Sequence, residues 1–148
     1  MSAFFAFLHH LAAFVLFAAI VVEFVTLKDA LTLQSARRLL RADMIYGMSA
    51  GLLLAIGLVR VVYLEKGAAF YFGNWVFIAK LSLFILVGLL SVHPTIRFMS
   101  WRAAVKRGEA PQVDAGALRT MRTIVHIELA AVVLILLFAA MMARGIGY

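Results

Sequence analysis

Four long runs of apolar residues divide this chain, and short polar or basic segments separate them. The runs cover about residues 3–27, 43–64, 72–94 and 119–143. Each is close to the ~20 residues that an α-helix needs to cross a ~30 Å hydrocarbon core. A segment inside a membrane must pair its own backbone polar groups, and a helix does so. The pattern therefore predicts an all-α integral membrane protein of four helices.

The connections between the runs are short, which favours an antiparallel up-down bundle with sequence neighbours adjacent in space. Nothing between the runs could build a second core, so we expect residues 1–148 to form a single domain. The second helix is expected to begin before its apolar run, with Ser35 as its N-cap. The fourth helix is expected to begin near Asp114.

Small residues recur along the second helix. Gly47, Gly51 and Ala55 follow one another at intervals of four and form a ridge that lets another helix approach closely. We expect this ridge to pack inside the bundle. The sequence leaves open whether the chain forms a homo-oligomer.

Composition supports the membrane class. Hydrophobic residues make up 66% of the chain and charged residues 14%, and the mean hydropathy is +1.04. Soluble domains are roughly 45 to 50% apolar. The absence of cysteine excludes disulfides, Cys-ligated zinc, iron–sulfur clusters and covalently attached haem. Any cofactor must be held by His, Met, Lys or carboxylate side chains.

The net charge of +7 is unevenly placed. Ten basic residues lie in or beside the first and third connections, against three at the other side. The ten are Lys28, Arg37, Arg38, Arg41, Arg97, Arg102, Lys106, Arg107, Arg119 and Arg122, and the three are Arg60, Lys66 and Arg144. The positive-inside rule then predicts that both basic connections lie in the cytoplasm and that both termini lie on the other side of the membrane. Contact of these loops with anionic lipid accounts for the charge, so we expect no nucleic-acid partner.

Seven ionisable side chains lie inside or at the ends of the apolar runs and are the main clue to function. They are His9, His10, Glu23, Asp43, Lys80, His126 and Glu128. A charge near the bilayer centre costs roughly 2.5 to 3.5 kcal/mol on insertion scales, so such residues usually face a bundle interior, a partner or a water-filled path.

Depth along each helix sorts the polar residues into two layers, at ~1.5 Å of rise per residue. The outer layer contains His9, His10 and Lys80, and Arg60, Tyr63, Met141 and Met142 could border it. The inner layer contains Glu23, Asp43, His93, His126 and Glu128. Two sites, or one site and a proton relay, are implied. His93, just before a proline, is expected at a helix end.

Angular position refines these layers. At ~100° per residue, His9 and Glu23 lie about 40° apart and can share one inward stripe, whereas His10 points to a neighbouring face. His126 and Glu128 lie about 200° apart, so one small site cannot use both. A pair between Glu23 and His126 could be a structural hydrogen bond or a proton path.

Short motifs along the whole chain resemble an uncharacterised domain-of-unknown-function family of small bacterial inner-membrane proteins. They are Phe7-Leu8-His9-His10, the segment 37–43, Glu65-Lys66-Gly67, Ala79-Lys80-Leu81 and His126-Ile127-Glu128. The layout is more distantly similar to the HemJ-type protoporphyrinogen oxidases. The shared features are an early His, a basic entry to the second helix, a Trp followed by a Lys, and an acid in the fourth helix. Here these fall on His9 or His10, Arg38 to Arg41, Trp75 with Lys80, and Glu128.

That resemblance implies a site for haem b or a porphyrin, with His9 or His10 on the iron and Lys80 near the ring or its propionates. The chain departs from the HemJ pattern by doubling the His, by placing Ile127 where an Asn often precedes the acid, and by adding His126.

Two functional hypotheses follow, and the sequence leaves open whether the chain is an enzyme. The first is a haem-b membrane redox protein that passes electrons to a quinone or another membrane carrier. Its specific form would be a HemJ-like porphyrinogen or quinol-linked oxidoreductase, with a porphyrin or a quinone as its partner. In this hypothesis, catalytic or proton-moving roles fall to Glu23, Lys80, His126 and Glu128. The cofactor is contacted by His9, His10, Lys80, Arg60 and Met141. The second is a small oligomeric proton-coupled transporter, or an assembly subunit of a membrane complex, without a cofactor.

Overall fold

A computed structural model describes residues 2–147, and every regular element within them is helical. The helices are α1 (Ser2–Thr26), α2 (Leu33–Val59), α3 (Ala68–Phe72), α4 (Trp75–Ser100), α5 (Arg102–Lys106) and α6 (Ala115–Ala143). Between α2 and α3, the chain continues as a π-helical turn, Arg60–Leu64. Four stretches are long and apolar enough to cross a membrane: Ser2–Thr26, Leu33–Leu64, Trp75–Lys106 and Ala115–Ala143. The predicted all-α fold with four membrane-spanning helices is confirmed.

Side-chain caps decide where α2 and α6 begin. Thr32 Oγ1 accepts the backbone N–H of Ser35 at 3.1 Å, and Ser35 Oγ accepts the N–H of Thr32 at 2.7 Å. This reciprocal pair starts α2 at Leu33, well before its apolar run, so Thr32 rather than the predicted Ser35 is the N-cap. Asp114 accepts the N–H of Ala117 at 3.1 Å and starts α6 where predicted.

Helix α4 extends beyond its predicted end. Asn74 caps its first turn by accepting two backbone N–H groups, at 2.8 and 3.1 Å. The helix then continues through Pro94 to Ser100, so His93 lies inside the helix and not at its end. Proline has no amide hydrogen to give to the carbonyl of Leu90, but bundles tolerate such breaks where neighbouring helices support the backbone. Pro94 is buried in this way.

The spanning helices alternate in direction. Arg122, near the start of α6, donates a hydrogen bond to the carbonyl of Leu27, just past the end of α1. Asn74, at the start of α4, donates to the carbonyl of Ile146, just past the end of α6, at 3.4 Å. Helix α1 packs most extensively on α2, and α4 packs most extensively on α6. Smaller contacts between α1 and α6 and between α2 and α4 complete the bundle.

The best-packed part of the core lies where α1 and α4 end and α2 and α6 begin. We call this the arginine-rich end, because it carries Arg37, Arg38, Arg41, Arg97, Arg102, Arg107, Arg119 and Arg122. Fully buried residues that meet there include Leu39, Phe98, Met121 and Val125. Packing of α1 into this core uses residues three or four apart, namely Ala12, Leu16, Ala19, Ile20 and Glu23.

The small-residue ridge of α2 faces away from the bundle. Gly47, Gly51 and Ala55 are all exposed, and a Cβ added at either glycine would meet no atom within 4 Å. The prediction that this ridge packs inside the bundle is therefore wrong. Helix α2 uses the adjacent face instead, through Tyr46 and Ser49.

Candidate functional site: two charged clusters in the bundle

Three carboxyl side chains from three helices meet toward the arginine-rich end. Glu23 of α1 interacts electrostatically with Asp43 of α2 and Glu128 of α6, and Glu128 also interacts with Asp43. Glu23 is 1% exposed and Glu128 is 0% exposed. We call these three residues the carboxyl cluster.

The carboxyl cluster has few hydrogen-bond donors. Asp43 Oδ1 accepts the hydroxyl of Thr95 on α4 at 2.6 Å. In contrast, Glu23 Oε1 and both carboxyl oxygens of Glu128 are buried and have no hydrogen-bond partner. The ring of Tyr46, 4% exposed, places its phenol near all three carboxyl groups.

The negative charge of such a buried cluster must be reduced or balanced. Like charges that share a buried site repel one another, and an ionised carboxyl group without donors is costly in a low-dielectric interior. Proton uptake is the simplest chemistry that this arrangement supports.

A second cluster lies toward the opposite end of the bundle. His9 of α1 interacts electrostatically with Arg60 and Lys80, and Lys80 interacts with Arg60. The side chains come from α1, from the π-helical turn after α2, and from α4. The imidazole lies against Gly57 of α2, where a Cβ would be in ordinary van der Waals contact, 3.4 Å from Cε1 of His9. We call His9, Arg60 and Lys80 the basic cluster.

The basic cluster is only partly neutralised. Arg60 Nη2 pairs with Glu65 Oε1 at 2.8 Å, and the Lys80 ammonium lies 5.5 Å from the centre of the Phe77 ring. Nδ1 of His9 and Nε of Arg60 are buried without a hydrogen-bond partner. All three members of the cluster are half-buried, so a ligand can reach them. Arg60 begins a π-helical turn, a distortion that is frequent at functional sites.

The two clusters share one stripe of α1, as predicted for His9 and Glu23. Fourteen residues separate these side chains, which corresponds to about 21 Å along the helix. Leu16 and Ile20, 4% and 0% exposed, lie between them on the same stripe. An apolar layer therefore separates the two polar sites.

Three predicted site residues lie outside both clusters. His10 is exposed, and its Nδ1 lies 2.6 Å from the carbonyl oxygen of Ala6 in its own helix. His126 is also exposed, with its ring centre 5.5 Å from that of Phe24, so the suggested hydrogen bond from His126 to Glu23 is not formed. Met141 is half-buried in the last turn of α6.

Two residues beside the carboxyl cluster were not predicted. Tyr46 lies one turn after Asp43 and continues the buried positions Leu39 and Ala42, a spacing that could have revealed it. Thr95 gives no comparable signal, because its bond to Asp43 depends on the path of α4 past Pro94. Asp43 was placed in the inner layer but was not assigned a role.

Within residues 2–147, no group of three or more His, Asp or Glu side chains has an arrangement that could hold a metal ion. A metal bound through the protein alone is therefore not indicated by this part of the chain.

Comparison with known proteins adds the family. The model of a family described as a predicted membrane protein, DUF2214, matches residues 1–147. The chain belongs to this family. The match confirms the predicted membership of a membrane-protein family with no assigned activity, while the HemJ-type resemblance stays a prediction. No curated protein and no solved structure matches the chain.

Proposed function

We propose that this DUF2214 chain is a membrane redox protein that binds haem b at the basic cluster. The observation that carries the proposal is the half-buried imidazole of His9, which lies in a cluster with two cationic side chains. Such a site suits a ligand that is anionic and also accepts an imidazole nitrogen.

Haem b meets both requirements, because it carries two propionate groups and an iron that histidine commonly ligates. When bound, it would supply one-electron redox chemistry. His9 would hold the iron, and Arg60 and Lys80 would offset the propionate charge. His10 is a poor second ligand, because it lies on the outer face of α1.

The carboxyl cluster suits the proton side of such a reaction. Quinols and porphyrinogens release protons together with electrons, so a proton-accepting site in the same bundle is useful to a protein that oxidises either. Glu23, Asp43 and Glu128 would hold these protons, with Tyr46 beside them. This assignment replaces His126 with Asp43 among the predicted proton-handling residues.

Adjacent histidines provide a matched test. We expect the detergent-purified protein, produced with sufficient haem, to show a b-type reduced-minus-oxidised spectrum. His9→Ala should abolish most of the haem absorbance, whereas His10→Ala should retain it because His10 faces outward. Arg60→Gln and Lys80→Gln should lower occupancy. Absence of the bands, or full occupancy in His9→Ala, would overturn the proposal.

A second candidate, proton-coupled transport by an oligomer, is favoured by the two unpartnered oxygens of Glu128. In this hypothesis, the carboxyl cluster loads a proton and the basic cluster binds an anionic solute. The pH inside proteoliposomes should then change when a gradient of the anionic solute is imposed across their membrane. Glu23→Gln should stop this proton flux. Unchanged flux in Glu23→Gln would exclude this role.

A further inference from the structure

A groove separates the end of α1 from α6 at the arginine-rich end. Its volume is about 450 Å³, and Phe24, Leu27 and Ile127 are among the residues that line it. Arg122, Lys28 and His126 line the same groove. It is distinct from the carboxyl cluster, whose members do not line it.

The basic side chains of this groove are held in place. Arg122 donates its Nε–H to the carbonyl of Leu27, which leaves the terminal amino groups of the guanidinium for another acceptor. The Lys28 ammonium lies 4.2 Å from the centre of the Phe24 ring, and the His126 ring packs against the same phenyl group. Lys28 and His126 therefore both contact the ring of Phe24, and Arg122 is fixed beside them by its bond to Leu27.

No carboxylate neutralises this group. Among the described residues, neither Lys28 nor Arg122 has a carboxylate within 4.0 Å. Glu23 is close in sequence but turns into the bundle. The groove therefore presents unpaired positive charge to whatever lies beside the protein.

Polarity is graded along the groove. Lys28 lies beyond the last residue of α1, and Arg122 is held level with it by the bond to Leu27. Ile127 lies about 7.5 Å farther along α6 and is 48% exposed. An amphipathic anion fits this order, with its charge at the rim and its apolar part beside Ile127.

We propose that this groove binds the phosphate of an anionic phospholipid, with the acyl chains lying along the exposed face of α6. Charge complementarity carries the choice, since anionic headgroups attract basic residues at the membrane surface. The exposed apolar side chain below the cations distinguishes this occupant from a free phosphate. The proposal is independent of haem binding.

Native mass spectrometry of the intact protein in detergent tests it, with phosphatidylglycerol and phosphatidylcholine of identical acyl chains as probes. Wild type should retain phosphatidylglycerol preferentially. Lys28→Gln combined with Arg122→Gln should lower that preference on the order of tenfold. The control, Arg37→Gln with Arg38→Gln, removes the same charge from exposed positions of α2. It should retain the preference for phosphatidylglycerol.

Because Arg122 also supports the end of α1, a second pair avoids that contact. Lys28→Gln with His126→Gln should show a smaller loss in the same direction. Equal binding of the two lipids, an equal loss in the control, or full displacement of the lipid by inorganic phosphate would each overturn the proposal.

Discussion

The carboxyl cluster and the basic cluster differ most in how the bundle covers them. Glu23 and Glu128 are almost completely buried and Asp43 is half-buried, whereas all three members of the basic cluster are half-buried. A site that is mostly covered can exchange little more than protons without a rearrangement of helices. A half-covered site can accept a larger ligand from outside. The two clusters are thus suited to different chemistry, although one helix contributes to both.

A substitution in the apolar layer between the two clusters should have the largest effect on the stability of the protein. Ile20→Ala removes buried methyl groups at a position that is 0% exposed, so it should destabilise the protein by about 2 to 5 kcal/mol. Val22→Ala, on the exposed side of the same helix, is the control and should cost far less. Reversible unfolding in mixed detergents, followed by circular dichroism, measures both. Equal losses would mean that this layer is not closely packed.

Loss of the donor to Asp43 should have the next largest effect. Thr95→Val leaves the half-buried carboxyl group of Asp43 without its 2.6 Å hydrogen bond and should cost about 1 to 1.5 kcal/mol. Thr123→Val removes a hydroxyl that bonds only to the carbonyl of Arg119 in its own helix and serves as the control. The same unfolding measurement applies. A Thr95→Val variant as stable as the control would remove Thr95 from the cluster.

Removal of one charge from each cluster compares them directly. Glu128→Gln and Lys80→Met both relieve repulsion between like charges, and the gain should be greater for the more buried cluster. We expect Glu128→Gln to raise stability by roughly 1 kcal/mol in alkaline solution, where ionised carboxyl groups repel most. Lys80→Met should change the stability of the protein less than Glu128→Gln does. Melting temperatures at two pH values test the order, and a larger gain for Lys80→Met would reverse the comparison.

The contact between His9 and Gly57 gives the smallest expected effect. Gly57→Ala should raise helix stability by about 0.5 to 1 kcal/mol, because a Cβ 3.4 Å from Cε1 of His9 makes an ordinary van der Waals contact. Gly51→Ala meets no atom within 4 Å and measures the helical gain alone. The difference between the two melting temperatures therefore isolates the contact. A Gly57→Ala variant that gains less than Gly51→Ala would contradict this spacing.

Sequence periodicity predicted those features that depend on one helix at a time. It placed His9 with Glu23 on one stripe, turned His10 away, and separated Glu128 from His126. The lengths of the apolar runs likewise predicted four spans, because the thickness of the membrane sets a required length for each helix separately.

Features that depend on pairing between helices were not predictable in this way. The outward direction of Gly47 and Gly51 depends on which face of α2 meets α1, and helical spacing alone does not choose between faces. The bond from Thr95 to Asp43 joins residues 52 positions apart. The early start of α2 was expected, but its cap was misassigned because Thr32 and Ser35 are both good capping residues.

Pro94 makes the environment of Asp43 sensitive to the curvature of α4. The turn that ends at this proline lacks one of the bonds that stiffen a helix, and Thr95 follows it directly. Bending of α4 at that turn changes the distance from the Thr95 hydroxyl to the Asp43 carboxyl. The hydrogen bond that Asp43 of α2 accepts therefore depends on how α4 bends at Pro94.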